Sequence, residues 1–324
     1  MSTETAPEPA GEPVPGPAPS QSSAAAHRFV TSDGTALYVR DTDPGPPGAL
    51  TVVFLHGWTV DNTSWDRVAA ALPKAVDEPI RLLRYDHRGH GRSAPAPRGT
   101  ATIAQLADDL VELLADRVPR GPLMLVGHSM GGMAIMALAE RHPEVLKRVV
   151  AIGLVATSAG DLARPDFGLP PWAAAAVLSG EKVLNALLER KPGTMMLHWT
   201  PVGLAVLGWL LFGANRRWSD IMATVAQVSR VDPPSGVGFR RSLAEHDRIS
   251  ALAAFRDIPT VLMAGDTDRL TPPEHARRIA QELPDAKFVL FPGSGHMLPY
   301  ERDAEVTVHL AQLLQEVRGQ RPAS

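Results

Sequence analysis

Leu123-Met124-Leu125-Val126-Gly127-His128-Ser129-Met130-Gly131-Gly132 is an apolar run that ends on a glycine, reaches a serine two residues later, and meets two further glycines as a helical pattern begins. This is G-x-S-x-G in the context that its chemistry requires, a strand, then a sharp turn, then a helix. The flanking glycines leave room for a strained backbone that pushes the Ser129 hydroxyl out into a cleft. The N-terminus of the following helix supplies free N–H groups for an oxyanion. The plain alternative is a tight glycine turn without chemistry. The strand before the turn and the helix after it favour a nucleophile.

Working outward, Arg28–Ser32 and Thr35–Arg40 flank Asp33-Gly34, a hairpin signal in which glycine supplies the positive φ. Short, almost wholly apolar runs follow at Thr51–Leu55, Ile80–Tyr85, Leu123–Val126, Arg148–Val155, Thr260–Ala264 and Lys287–Phe291. Runs without polar alternation suit strands buried on both faces, as in a parallel sheet. Between the second and third of them Thr102 can cap a helix. Ile103, Leu106, Ala107, Leu110, Leu114 and Val118 recur there at helical spacing, and Asp108, Asp109, Glu112 and Asp116 are expected to face out. Met130–Arg141, Pro273–Leu283 and Glu301–Val317 are further helix candidates. Alternating strands and helices predict an α/β fold, a mostly parallel central sheet with helices on both faces. Residues 161–249 break that rhythm with helical patterns alone and read as a helical insertion, a cap. They divide the sheet domain into 27–160 and 250–324.

A serine at its free pKa is a poor nucleophile and needs a base, with a third group to orient that base. His296, in Pro292-Gly293-Ser294-Gly295-His296 after the last strand, is the base candidate. Asp266 and Asp268 both follow the strand Thr260–Ala264, and the turn geometry decides between them. Ligands bind beyond the carboxyl ends of parallel strands, where loops carrying Ser129, Asp268 and His296 can converge.

These segments resemble the α/β-hydrolase fold family over roughly residues 28–318. The resemblance rests on Leu55-His56-Gly57-Trp58, on Tyr85-Asp86-His87-Arg88-Gly89-His90-Gly91-Arg92-Ser93, on the turn at Ser129, on Asp268 and on His296. It implies that Asp268, not Asp266, orients His296, with Asp161 after the preceding strand a distant third. It implies an oxyanion hole made by the backbone N–H groups of Trp58 and Met130, and a mobile cap in 161–249. The activity implied is that of a serine hydrolase cleaving a carboxylic ester through an acyl-enzyme, without a cofactor. Ser129 in place of a carboxylate argues against epoxide hydrolases and haloalkane dehalogenases of this fold. Cofactor-free haloperoxidases, which often carry a segment like His56-Gly57-Trp58, and carbon–carbon bond hydrolases use the same triad. The motifs do not separate them from esterases. A non-catalytic ligand-binding protein of this fold would be expected to lack a triad member.

Other histidines read as structural. His128 should point away from the cleft and serve packing or hydrogen bonding, and His56 should hold the oxyanion loop in shape. His87 and His90 stand at H-x-x-H spacing without a third-ligand pattern, so no metal site is expected.

Composition narrows the partners. The 324 residues carry 32 Lys+Arg against 35 Asp+Glu, a net charge of −3, which argues against a generic nucleic-acid binder. Cysteine is absent, excluding disulfides, a thiol nucleophile and Cys-ligated metals, and fitting a cytoplasmic location. Residues 1–26 are rich in Pro and Ala and lack both a basic start and an apolar run. They read as a disordered tail and not as a targeting signal. Four tryptophans fall in the insertion, and Trp172, Trp199, Trp209 and Phe212 are candidates to contact an apolar acyl or alcohol group. Pro192–Asn215 carries no charged side chain. By length it could span a bilayer, but a span there would put Ser129 and Asp268 on opposite sides of a membrane. A buried cap helix and a lid touching lipid peripherally remain as readings.

Overall fold

The computed structural model describes residues 25–42, 48–162, 169–170, 172, 179, 200–214 and 216–319. The expected tail falls largely outside them, as do Trp199 and most of 163–199. Eight strands form one sheet in the order β1-β2-β4-β3-β5-β6-β7-β8. They are β1 Ala25–Val30, β2 Ala36–Asp41, β3 Thr51–Leu55, β4 Arg81–Tyr85, β5 Leu123–His128, β6 Val149–Val155, β7 Thr260–Gly265 and β8 Lys287–Phe291. The β1–β2 and β2–β4 pairs are antiparallel and the remaining pairs parallel. The hairpin turns at Gly34, φ 86°. The strand β1 starts at Ala25, two residues inside the segment expected to be tail, because Ala25 and Ala26 pair with Asp41 and Arg40.

The central strands β3, β5 and β7 are buried along their whole length, as their unbroken apolar runs require. Helices cover both faces. On one side, α2 (Ile103–Arg117) and α3 (Met130–Arg141) pack Leu106, Leu110, Ile135 and Leu138 against Val53, Leu55 and Leu125. On the other, α1 (Asp66–Ala71) and a C-terminal helix pack Val68, Leu310 and Leu314 against Val52, Phe54 and Val126. Thr102 caps α2 through Gln105 N, as the sequence predicts.

Two expectations are corrected. Asp109 does not face out. The Arg88 side chain, fully buried, reaches onto α2, and its Nε donates to Asp109 Oδ2 at 2.7 Å. Its Nη1 donates to Asp33 Oδ2 at 2.7 Å and to Thr100 Oγ1 at 2.8 Å. A charge that would otherwise need water is thus satisfied inside. Removing one member of such a pair strands the other. Asp109→Ala is expected to lower unfolding free energy by about 3–5 kcal/mol, at the lower end because Asp33 remains, as measured by urea denaturation. A loss below about 1 kcal/mol would show that the pair contributes little.

The C-terminal helix expected over Glu301–Val317 is two helices, Leu298–Glu301 and Asp303–Gly319. Arg302 leaves the helical region between them, and its guanidinium turns back to Ser294 Oγ and to Pro292 O, both at 2.7 Å.

Within the insertion, the described residues form helices α4 (Pro201–Leu211), α5 (Trp218–Val228) and α6 (Pro233–Ala244). Ile221 and Val225 of α5 form a separate apolar cluster with Val60, Leu211, Phe212, Met297 and Tyr300. None of the helices among the described residues is long and apolar enough to cross a membrane. The uncharged stretch contributes an 11-residue helix instead.

Candidate active site

At the carboxyl end of β5, Ser129 takes φ 52° and ψ −117°, a conformation that costs an ordinary residue about 1–3 kcal/mol. The surroundings enforce it. Ser129 N donates to Val155 O at 2.9 Å, and its carbonyl accepts from Gly132 N at 2.9 Å and Thr157 Oγ1 at 2.7 Å. The glycine pattern follows from close approach. A Cβ at Gly127 would lie 2.4 Å from Gly132 N, and one at Gly131 would lie 2.3 Å from Leu55 O. No side chain fits at either place, so the strand, the turn and the helix can close only with glycine there. Ser129 keeps 8% of its surface exposed, at the mouth of the turn.

The loops after β7 and β8 bring Asp268 and His296 together. His296 Nδ1 lies 2.7 Å from Asp268 Oδ2. That contact assigns the ring proton to Nδ1 and leaves Nε2 as the acceptor. Asp268 Oδ1 accepts from Leu270 N at 2.8 Å and Thr271 N at 3.0 Å. Burial pushes the Asp268 carboxyl up, but His296 and these N–H groups outweigh it and hold the pKa below the usual value. The backbone has thereby chosen between the two acids. Asp266 is exposed and accepts from Gly293 N at 2.7 Å. Asp161 is exposed too and pairs with Arg278. Among the described residues the ring partners of His296 are Asp268 and Thr271. Ser129 Oγ is not bonded to it, and contacts of this type tighten when substrate binds.

The Gly57 turn passes directly over the nucleophile. A Cβ at Gly57 would lie 3.2 Å from Ser129 Cβ. The following Trp58 N–H and the Met130 N–H, first in α3, have no acceptor among the described residues. Among the described residues both are left without a partner, next to the Gly57 and Ser129 turns. Contacts from α5 and α6 hold this loop in place. Trp58 Nε1 donates to Gly236 O at 3.1 Å, and Gln227 Oε1 accepts from Asp61 N at 3.1 Å.

Four buried histidines surround this turn. His56 Nδ1 lies 2.8 Å from Gly57 O, and its Nε2 accepts from His87 N at 2.9 Å, so the ring braces the loop. His128 Nε2 donates to His296 O at 2.9 Å, and its ring lies edge-on to Trp65. His87 and His90 pack against His56 in tilted contacts, with ring centroids 4.1 and 5.3 Å away. Burial favours the neutral rings, pushing His56 down to about 4, His90 and His128 down to about 3, and His87 well below its ordinary value.

The cap candidates fare unevenly. Trp172 is 77% exposed, and Phe212, at 1%, packs in the cluster with Leu211, Ile221 and Tyr300. Trp209 is partly buried under the Arg269 guanidinium, whose carbon lies 4.7 Å from the ring centroid.

Sequence reading missed Thr271, whose Oγ1 donates to Asp268 Oδ2 at 2.9 Å and lies 3.3 Å from His296 Nδ1. The available signal was a threonine three residues after the acid, just before the Pro272-Pro273 helix start. It also missed Glu301, which binds the His296 loop and which no local pattern marks.

A non-heme chloroperoxidase of Kitasatospora aureofaciens is 29% identical over 286 residues, covering 85% of this chain and 94% of that protein. A pimeloyl-(acyl-carrier protein) methyl ester esterase of Nitrosomonas europaea is 28% identical over 263 residues, covering 81% and 92%. A thermophilic esterase from Thermogutta terrifontis superposes with a TM-score of 0.71 at 26% identity, covering 91% of this chain and 99% of that one. Residues 51–303 match the sequence profile of the alpha/beta hydrolase fold. That match runs from β3 through the turn at Ser129 to the loops bearing Asp268 and His296, and with it the chain belongs to the alpha/beta hydrolase fold family.

Proposed function

We propose that this protein is a serine hydrolase acting on carboxylic esters. The observation that carries the reading is the 2.7 Å bond between His296 Nδ1 and Asp268 Oδ2, which joins two strand-end loops beside the strained Ser129. His296 Nε2 takes the proton of Ser129 Oγ as that oxygen attacks the acyl carbonyl. The Trp58 and Met130 N–H groups bind the tetrahedral oxyanion. His296 returns the proton to the leaving alcohol, and water activated by the same ring releases the acid. No step calls for a cofactor. The esterase names among the relatives support this reading.

A second reading, perhydrolysis on the same residues, is favoured by the chloroperoxidase relative together with His56-Gly57-Trp58. There hydrogen peroxide replaces water at the acyl-enzyme and a peracid leaves.

The cap supports an apolar substrate. On α4 the exposed large apolar side chains are Val202 at 73% and Val206 at 53%, while Trp209 is half-buried. Apolar surface of this kind favours lipid-like or emulsified esters and a peripheral lipid contact.

Two measurements test these readings. A fluorophosphonate probe is expected to label the wild type and not Ser129→Ala, and absence of labelling in the wild type sinks the serine-hydrolase reading. In a panel of p-nitrophenyl esters, Val206→Asp is expected to lower turnover of emulsified long-chain esters severalfold more than that of acetate. Equal loss on both removes the lipid-facing role.

A further inference from the structure

The last turn of α4 and the three residues after it are sewn to the loop that carries His296. Leu211 O accepts from His296 N at 2.8 Å and from Met297 N at 3.2 Å, and Ala214 N donates to Gly293 O at 2.9 Å. The two segments touch backbone to backbone. A Cβ at Gly213 would lie 2.2 Å from Gly293 O, and one at Gly295 would lie 2.6 Å from Gly213 N. The acid loop grips the same helix end, with Arg269 Nη1 donating to Trp209 O at 2.9 Å.

One side chain spans the junction. Glu301 Oε2 accepts from Gly213 N at 2.8 Å and from Gly295 N at 3.0 Å, and Oε1 accepts from Met297 N at 3.2 Å. Its donors therefore stand on the cap segment and on both sides of His296. Burial pushes its pKa up, while the N–H groups of Gly295, Gly213 and Met297 pull it back. Among the described residues no Lys or Arg forms an ion pair with this carboxylate. Three amide dipoles, aimed from two separate segments, are its partners.

We propose that Glu301 is a positioning residue for His296, clamping cap segment 211–214 and the base loop into one unit. The cap end is then part of the scaffold of the base and not a lid that swings away from it. This inference rests on the reading of Ser129 and His296 as nucleophile and base.

The test measures kcat for p-nitrophenyl acetate per fluorophosphonate-titrated serine, so that unfolded or inactive molecules do not count. Glu301→Gln is close in shape, but it replaces one acceptor oxygen with an NH₂ that faces N–H donors. Displacing a catalytic group by a fraction of an ångström to an ångström costs about 10–100-fold in rate. The expected result is a fall in titrated kcat of that size with KM changed less than about threefold, and a parallel fall in the rate of fluorophosphonate labelling. Glu301→Asp keeps the charge with a shorter reach and should fall between Gln and wild type. Titrated kcat within twofold of wild type in Glu301→Gln would overturn the proposal, since a merely structural carboxylate lowers the active fraction alone. Loss of the fold in both variants would overturn it equally. A Ser129→Ala protein that still turns over would instead sink the underlying reading, which keeps the two failures apart.

Discussion

Ser129→Ala is expected to lower ester turnover by about 10⁶-fold, the usual cost of removing a triad nucleophile. The fold should survive. The contacts that hold residue 129 in its left-handed conformation run through its backbone, from Val155 O to the N and from Gly132 N and Thr157 Oγ1 to the carbonyl. None of them uses the hydroxyl. Alanine removes one oxygen from a partly open cleft and leaves no buried polar group unpaired. Circular dichroism and thermal unfolding should therefore match the wild type while p-nitrophenyl acetate hydrolysis falls to background. Turnover within about tenfold of wild type would exclude Ser129 as the nucleophile.

Asp268→Asn is expected to cost about 10⁴-fold in kcat. The two oxygens of Asp268 are not equivalent. Oδ1 is held by Leu270 N and Thr271 N, which demand an acceptor. In the variant the amide oxygen stays there, and the NH₂ takes the place of Oδ2 against His296 Nδ1. A donor at that point favours the tautomer with its proton on Nε2, which cannot accept the proton of Ser129. Asp266→Asn should cost far less, because an amide oxygen accepts from Gly293 N as well as a carboxylate oxygen does. If Asp266→Asn were the more damaging of the two, Asp268 would not be the orienting acid.

The comparison of these two acids shows where sequence stops and tertiary structure begins. Both lie in one turn, two residues apart, and nothing in the order of residues aims either at an imidazole 28 or 30 positions away. The choice is made by backbone N–H groups at Leu270 and Thr271 that can reach only Asp268. What the sequence determined by itself was local. The apolar runs Thr51–Leu55 and Lys287–Phe291 became strands with those same bounds; burial on both faces explains the first, whereas β8 is the edge strand of the sheet and leaves Phe288 and Leu290 exposed, against the expectation of two buried faces. The glycines at 127 and 131 announced the turn at Ser129, since a Cβ at either would strike backbone within the turn or on β3. Only the tertiary structure could turn Asp109 inward, because its helical position says out and the Arg88 that claims it arrives from the loop after β4, 21 positions earlier in the chain. Only the tertiary structure could join Leu211 and Gly213 to the His296 loop and to Glu301. Those bonds are made largely by backbone N–H and C=O groups, which every residue carries, and a pairing between groups common to all residues leaves no mark in the identity of either.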